Sequence, residues 1–356
     1  VPVTYADVWE FWLRHPELAG SVDYLTIHIL PYWEDRPVSP ERAVQHVATV
    51  YAKVRQAFPG RRVMIGETGW PSTGRPRQAA SASVVNEARY LREFLRYAAT
   101  VHMPYNVIEA FDQPWKRAQE GTAGGYWGIF DAQARPKFSM QGPVIEEPLW
   151  WAGWLAGLAG AGVFLLAGLW RPRVKGWRGW AALALAGVAS GCALAWQYRQ
   201  MWFACRDAWE WTVSSLACVL ALFTALRLAR SIAARLAGAT LHEPSNRLRA
   251  SWLFALAFYG LLLVFDGRYR DFPLGLFLLP CAGFALLGWL THRGERAKPW
   301  LEERFLAAWL PLLAAIVVVQ ESGLTPIAWL WLGVNLMLAV PVLVEWRLAR
   351  LQSQQT

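Results

Sequence analysis

The sequence predicts an α/β unit with a parallel sheet over residues 1–148, followed by an all-α membrane domain over residues 149–356. In the first part, short apolar runs alternate with amphipathic helical segments, which is typical of parallel strands joined by helical crossovers. From Leu149 onward long apolar runs take over, and each is near the length that crosses a bilayer as a helix. The first part holds 16 Lys and Arg against 16 Asp and Glu, so the second part accounts for the whole net charge of +9.

Four strands and two helices make up the predicted α/β unit. The second strand is apolar almost throughout, as expected for a strand buried on both faces. The helices are indicated by apolar residues at helical spacing, from Ala43 to Ala57 and from Val84 to Ala98. The predicted strands are residues 1–6, 22–30, 62–67 and 105–111.

Carboxylates and aromatic side chains follow three of these strands, at the end of the sheet where a (β/α) barrel builds its active site. A carboxylate can act as nucleophile, acid or base on a glycosidic bond, and Tyr and Trp faces suit a sugar ring. Neither residue type is specific, since a strand-end Glu can be a surface charge and a Trp can belong to the core. The residues are Tyr32, Trp33, Glu34 and Asp35, then Glu67 and Trp70, then Glu109, Asp112, Trp115 and Lys116.

Four ordered segments carry a resemblance to a known family. They are IHILPYWED (27–35), IGETGWPS (65–72), EAFDQPWK (109–116) and GYWGIFDAQARPKF (125–138). They look like segments of glycoside hydrolase family 17, which contains β-1,3-glucanases and β-glucanosyltransferases. The fusion to a multi-span membrane region most resembles the bacterial members described as β-(1,6)-glucan synthases.

The resemblance implies a (β/α)8 TIM barrel, of which residues 1–148 would be the C-terminal half, strands five to eight. It implies a retaining mechanism with Glu67 as nucleophile, and no metal or organic cofactor. The family's acid/base lies in an Asn-Glu pair that no strand end here contains, so the chain is interpreted as N-terminally truncated. The implied substrate-binding residues are Tyr32, Trp33, Glu34, Trp70, Glu109, Asp112, Trp115 and Lys116.

Other interpretations of the strand-end residues remain open at this stage. Glu34, Glu109 and Asp112 are alternatives for the second carboxylate of a retaining pair. Glu109 and Lys116 are favoured as a charge network that keeps Glu67 ionised, although Gln113 stands where the family's network has a Glu. His28 is interpreted as a strand-end hydrogen-bonding residue that can line the sugar cleft.

The expected function is a membrane-anchored enzyme that acts on β-1,3-glucan, as a glucanosyltransferase or an endo- or exo-glucanase, with β-1,6 branching as one outcome. The alternative is a catalytically silent, glucan-binding scaffold of a glucan synthase or export complex. The expected partners are β-glucan, the lipid bilayer and a membrane glucan synthase. Nucleic acid is excluded, because the soluble part lacks a basic patch interleaved with aromatics.

Seven apolar spans are predicted in the membrane domain, and they are nearly free of charge, which favours an anchor over a transport path. Alternate connections, together with the C-terminal tail, carry 15 Lys and Arg, whereas the other connections carry 4. The positive-inside rule therefore places the C-terminus in the cytoplasm and residues 1–148 outside a bacterial inner membrane. The spans are 149–170, 179–197, 210–226, 250–265, 272–291, 305–319 and 326–345.

Overall fold

The chain divides into two compact units, Val1–Pro148 and Leu149–Thr356. The computed structural model describes residues 1–170, 174–237, 246–290 and 298–353, with side chains to residue 351. Outside the described residues lie 171–173, 238–245, 291–297 and the last residues of the chain. Some of the Lys and Arg residues counted above fall in these stretches.

The first unit is built on a parallel sheet of four strands in the order β1–β2–β3–β4. Each strand pairs with the next along the chain. The strands are β1 (Ala6–Val8), β2 (Leu25–His28), β3 (Val63–Thr68) and β4 (Tyr105–Val107). Because all four run in the same direction, their carboxyl ends lie along one edge of the sheet.

Four helices accompany the sheet, and two of them supply most of the apolar cover. They are α1 (Trp9–Arg14), α2 (Ala43–Ala57), α3 (Val84–Val101) and α4 (Arg117–Gly124). Helix α3 begins with a cap, since the Asn86 N–H donates to the Ser83 hydroxyl at 3.0 Å, which satisfies one of the free N–H groups of the first turn. The core joins Val47 and Val54 of α2 and Leu91 of α3 to the strand residues Ile27 and Ile65, all at most 1% exposed.

The prediction of an α/β unit with a parallel sheet is confirmed, but the strand bounds differ from the predicted ranges, most of all in β1 and β4. Strand β1 begins at Ala6 rather than Val1, although the Asp23 N–H still donates to the Val3 carbonyl at 2.9 Å. Strand β4 ends at Val107, and Phe111 pairs instead with Phe130 through an isolated bridge. The described residues form a sheet of four strands, so a closed barrel stays a prediction.

The second unit contains seven helices within its described residues, one for each predicted apolar span. Four of them are long and apolar enough to cross a membrane: α6, α7, α8 and α11. Shorter apolar helices are α5 and α9. The bounds are α5 (Ala152–Gly168), α6 (Gly176–Ala204), α7 (Ala208–Leu236), α8 (Asn246–Asp266), α9 (Leu274–Leu290), α10 (Leu301–Gln320) and α11 (Pro326–Ser353).

Three of these helices bring charges together. Arg249 and Glu303 precede the predicted spans of their helices, whereas Glu345 is the last residue of the predicted span 326–345. Arg249 of α8 donates through Nε to Glu303 of α10 at 2.8 Å and through Nη1 to Glu345 of α11 at 2.9 Å. The Glu303 side chain is fully buried and the Arg249 side chain is only 13% exposed. The three side chains therefore tie α8, α10 and α11 at one end of the unit.

A second buried arginine ties the opposite end of the same helices. Arg270 lies just after α8 and donates to Glu321 at 2.6 Å, to the Gln320 side chain and to the Leu263 carbonyl. Thr325 donates to the second oxygen of Glu321 at 2.9 Å. Glu303 and Glu321 are separated by about 27 Å along the helix axis, close to the roughly 30 Å hydrocarbon core of a bilayer.

Breaking the cluster around Arg249 should unfold the second unit at lower temperature. We expect R249M to cost about 3–5 kcal/mol, because it leaves two buried carboxylates without their cation. The measurement is the thermal midpoint of the detergent-solubilised protein. The matched control is R206M, since Arg206 pairs with Glu210 while 47% exposed. Equal small shifts for both variants would contradict the prediction.

Candidate active site

Glu67 lies near the carboxyl end of β3, next to the end of β2. Its backbone carbonyl accepts from the Ile29 N–H at 3.0 Å, and its side chain is 43% exposed. The Nδ1 atom of His28 lies 3.7 Å from Glu67 Oε2. A rigid strand end that presents a partly open carboxylate is a suitable place for a nucleophile.

Glycine residues on either side of Glu67 let other backbone and side chains approach closely. A side chain at Gly66 would collide with the Thr26 methyl group and crowd the His28 ring. A side chain at Gly69 would collide with the carbonyl of Ile108, the residue just after β4. Both positions require glycine because the neighbouring segments pack against them without a gap.

A charged pair follows β4. Lys116 forms an ion pair with Glu109, and Gln113 donates to the other Glu109 oxygen at 2.7 Å. The backbone of Glu109 is held by Trp127 and Ile129, through bonds of 2.8 and 2.9 Å. The predicted network of Glu109 and Lys116 is therefore present as a direct contact, and Gln113 serves it as a donor.

Glu120 of α4 belongs to the same charged neighbourhood. Burial raises the pKa of Glu120, and the negative charges of Glu109 and Glu67 raise it further, while the Lys116 ammonium opposes the shift. Glu109, Lys116 and Glu67 therefore each lie within electrostatic reach of Glu120. The cluster combines one basic and three acidic side chains at one edge of the sheet.

Lys137, whose side chain is only 10% exposed, contacts three segments of the first unit. Lys137 donates to Ser72 at 2.8 Å and to Asp112 at 2.9 Å, and its ammonium lies 3.1 Å from Glu87 of α3. Asp112 also accepts from the Gly128 N–H at 2.9 Å. The lysine therefore joins the turn that follows Glu67, the segment after β4 and helix α3.

Burial perturbs both carboxyl groups of this lysine cluster. The pKa of Glu87 is raised well above 4.5, and that of Asp112 is raised as well; burial is the main cause in both, opposed by Lys137. The Glu87 oxygens are within ion-pair distance of Lys137 but make no well-aligned hydrogen bond. A neutral Glu87 would leave Lys137 and Asp112 as a balanced ion pair.

The structure corrects three of the predicted substrate contacts. Tyr32 and Trp70 are fully buried, and each is anchored to a backbone carbonyl, that of Arg75 at 2.7 Å and that of Ser81 at 3.0 Å. Neither ring can present a face to a sugar, so the packing alternative holds for Trp70. Asp112 is also buried, and Lys137 and the backbone occupy its carboxylate.

Three further residues predicted to contact substrate differ in how far they are exposed. Trp33 is half-buried and stacks on Trp127, with ring centroids 6.2 Å apart. Glu34 accepts from Trp9 Nε1 at 3.2 Å and from His46 Nε2 at 3.0 Å, and its side chain is only 12% exposed. Trp115 is 65% exposed beside Lys116, so of the predicted aromatic contacts it is the most accessible to a ligand.

No feature of the sequence predicts the role of Lys137. It lies 65 positions from Ser72 and 25 from Asp112, and no local spacing links the three. Glu87 likewise looked like an ordinary helical carboxylate. Only the packing of α3 against the segment after β4 shows that both are buried with Asp112.

Comparisons with known proteins find glycoside hydrolases. Residues 1–128 match the family model described as the BtgE/BtgC glycoside hydrolase domain. A glucan 1,3-β-glucosidase of Arthroderma benhamiae is 27% identical over 133 residues, which are 34% of this chain and 43% of the relative. A glucan 1,3-β-glucosidase of Saccharomyces cerevisiae is 32% identical over 78 residues, 21% of this chain and 25% of the relative.

The chain spans less than half the length of these two relatives. Among solved structures, the glycoside hydrolase family 17 β-1,3-glucanosyltransferase from Rhizomucor miehei is 30% identical with a TM-score of 0.36. That match covers 40% of this chain and 51% of the solved chain. The matched residues of the family model lie within the first unit and include Glu67, Glu109, Lys116 and Glu120.

The buried Glu87 should make the first unit less stable as pH rises. Its folded pKa lies above 4.5, so the folded state binds the proton more tightly, and stability falls as pH rises from about 4.5 through the raised pKa. E87Q should remove this loss. Hydrogen exchange of α3, corrected for intrinsic rates, measures the effect. The matched control is E93Q on the same helix; identical pH dependence in E87Q and the unmodified protein would contradict the prediction.

Proposed function

We propose that the protein is a membrane-anchored, retaining enzyme that acts on β-1,3-glucan, with Glu67 as its nucleophile. One observation carries the proposal. Glu67 stands partly open at a strand end, within electrostatic reach of Glu120, as are Glu109 and Lys116, inside residues that match a glycoside hydrolase domain. The glucan specificity is supported by relatives whose names give glucan 1,3-β-glucosidase activity.

The chemistry proceeds in two displacements on one anomeric carbon. A Glu67 oxygen attacks that carbon, the glycosidic bond breaks, and the departing oxygen takes a proton from a carboxylic acid. In the second step a hydroxyl oxygen attacks the same carbon, and the ester bond to Glu67 breaks with its electron pair returning to the carboxylate. The proton of the attacking hydroxyl goes to the conjugate base of the acid.

The acid of this cycle is not assigned to Glu109 or Asp112. Lys116 and Gln113 already bind the Glu109 carboxylate. Lys137 and the Gly128 N–H bind the Asp112 carboxylate. The resemblance to the family implies a proton donor at the end of the fourth barrel strand. We therefore propose that the remaining strands of a barrel complete the site and supply the second carboxylate.

The Glu109–Lys116 pair supports the nucleophile through its charge and position. Gly69 is packed on Ile108, the residue before Glu109, so the segments that carry Glu67 and Glu109 move as one body. Gln113 and the backbone bonds from Trp127 and Ile129 fix the Glu109 carboxylate. A site fixed in this way is organised before substrate binds, which is what electrostatic catalysis requires.

Transfer to a sugar is proposed over transfer to water. The same polypeptide carries helices long and apolar enough to span a membrane, and a membrane-fixed catalytic unit suits the remodelling of a glucan near its site of export. Formation of β-1,6 branches, and a membrane glucan synthase as partner, belong to the same proposal. We place the first unit outside the cytoplasm of a bacterial cell because the basic connections alternate along the second unit.

Substitution of the nucleophile tests the chemistry. E67Q in the full-length protein should lower turnover of short β-1,3-gluco-oligosaccharides by at least about a thousandfold, because an amide cannot form the glycosyl ester. Product masses are read by mass spectrometry. E41Q, a surface change at a residue 64% exposed, should keep full activity. Substantial turnover by E67Q would contradict the assignment of Glu67 as nucleophile.

Protease accessibility tests the orientation. In sealed, inverted inner-membrane vesicles the first unit should resist added protease, because the lipid bilayer encloses it, while a tag on the C-terminus should be removed. Blots against both ends of the protein give the measurement. Rapid digestion of the first unit with the vesicles intact would reverse the proposed topology.

A further inference from the structure

His28 and Glu67 are brought face to face by an irregularity in the sheet. Strands β2 and β3 pair Ile27 with Ile65, and the next pair is His28 with Glu67. The register thus passes over Gly66. Without this shift His28 would lie opposite a residue that has no side chain, and Glu67 would pair one step further on. Bulges of this kind re-aim a side chain, and they are frequent next to active sites.

We propose that His28 is a positioning residue for Glu67, donating from its Nδ1–H to the Glu67 carboxylate during the reaction. The inference rests on the proposed function, since it assigns a partner to the proposed nucleophile. It differs from the sequence-based interpretation, in which His28 only lines the sugar cleft.

The His28 ring is already aimed at the carboxylate. Its Nδ1 lies 3.7 Å from Glu67 Oε2, and among the described residues this buried nitrogen has no hydrogen-bond partner. The gap is a few tenths of an ångström beyond a hydrogen bond. Hydrogen bonds of catalytic groups are often long in the free enzyme and shorten when substrate binds.

Gly66 makes room for this arrangement. A Cβ at position 66 would stand 3.2 Å from His28 Cε1 and 3.3 Å from Nδ1, and it would collide with Thr26. The ring therefore lies close to the Gly66 backbone at the bulge. Its side chain is 18% exposed, so the protein, more than solvent, fixes its orientation.

The charged groups nearest to this part of the site come from α4 and from the segment after β4. Glu120 interacts electrostatically with Glu67, and Lys116 is committed to Glu109 through a direct ion pair. His28 is thus the donor placed to hold one of the Glu67 oxygens. Holding Oε2 leaves Oε1 to attack the anomeric carbon.

The test compares variants of the full-length protein on laminarioligosaccharides, measuring kcat, KM and the pH dependence of kcat/KM. H28L should lower kcat by about 10- to 100-fold, the usual effect of losing a hydrogen bond to a charged group, with KM little changed. The acidic limb of its kcat/KM profile should shift, because Glu67 has lost a donor. H28N, whose amide nitrogen stands at the Nδ1 position, should recover most of kcat.

Surface histidine His15, which pairs with Glu17 at 3.3 Å while about half exposed, gives the matched control. H15L should leave kcat and the acidic limb unchanged. If H28L and H28Q raise KM alone, His28 contacts sugar and the proposal is overturned. If neither changes kcat or the acidic limb, it is overturned as well. If the unmodified protein yields no products, or E67Q remains active, the proposed function fails instead.

Should H28L fail to fold, H28Q and H28N decide the question. Both are polar and smaller than or similar to His in volume. Equal kcat and an unmoved acidic limb for both variants would contradict the proposal, because Asn Nδ2 stands where His Nδ1 does, whereas the Gln amide lies one bond further from the backbone. A graded order, with H28N above H28Q, is the result expected of a donor that must stand at the Nδ1 position.

Discussion

The pairing of β3 between β2 and β4 is the constraint on which the first unit depends. Because the three strands are parallel, they deliver His28, Glu67 and Glu109 to one edge. The glycines at 66 and 69 let the neighbouring segments close against β3. The side-chain chemistry is thus a consequence of backbone packing: a bulkier residue at either glycine would separate groups that are far apart in sequence.

The buried lysine cluster extends this constraint to the rest of the unit. Lys137 comes from the segment after Trp127, yet it contacts the turn after Glu67 through Ser72 and helix α3 through Glu87. A buried cation that meets two carboxylates is stable only when the net charge is balanced. Burial raises the pKa of Glu87, which favours its neutral form beside the Lys137–Asp112 pair. The cluster links the packing of the terminal segment to that of the strand ends.

The sequence predicted the parallel arrangement and the helical apolar runs well, because both depend on local periodicity. Strand ends were less accurate: β4 ends at Val107, since Phe111 pairs with Phe130, a partner that no local pattern indicates. Trp70 and Tyr32 were predicted at the substrate because they follow strands. Their burial depends on α3 and on the chain around Arg75. The position of a residue after a strand does not show whether such segments cover it.

The second unit shows the same limit. Hydropathy located the apolar spans but not the charges at their ends, because Arg249, Glu303 and Glu345 are polar residues in sequence and become buried only when three helices meet. Lys137 was not predicted either, because its partners lie far from it in the sequence. What remains predictable is the residue type that a site needs, as for Glu67, whose position at a strand end was expected and observed.

Trapping the covalent intermediate tests the central claim most directly. The full-length protein would be incubated with a 2-deoxy-2-fluoro-glucosyl fluoride that carries one further β-1,3-linked glucose, then digested and sequenced by mass spectrometry. The account predicts a glycosyl ester on Glu67, in the peptide that contains Gly66 and Trp70. An ester on a different carboxylate, or turnover of the reagent with no ester formed, would contradict it.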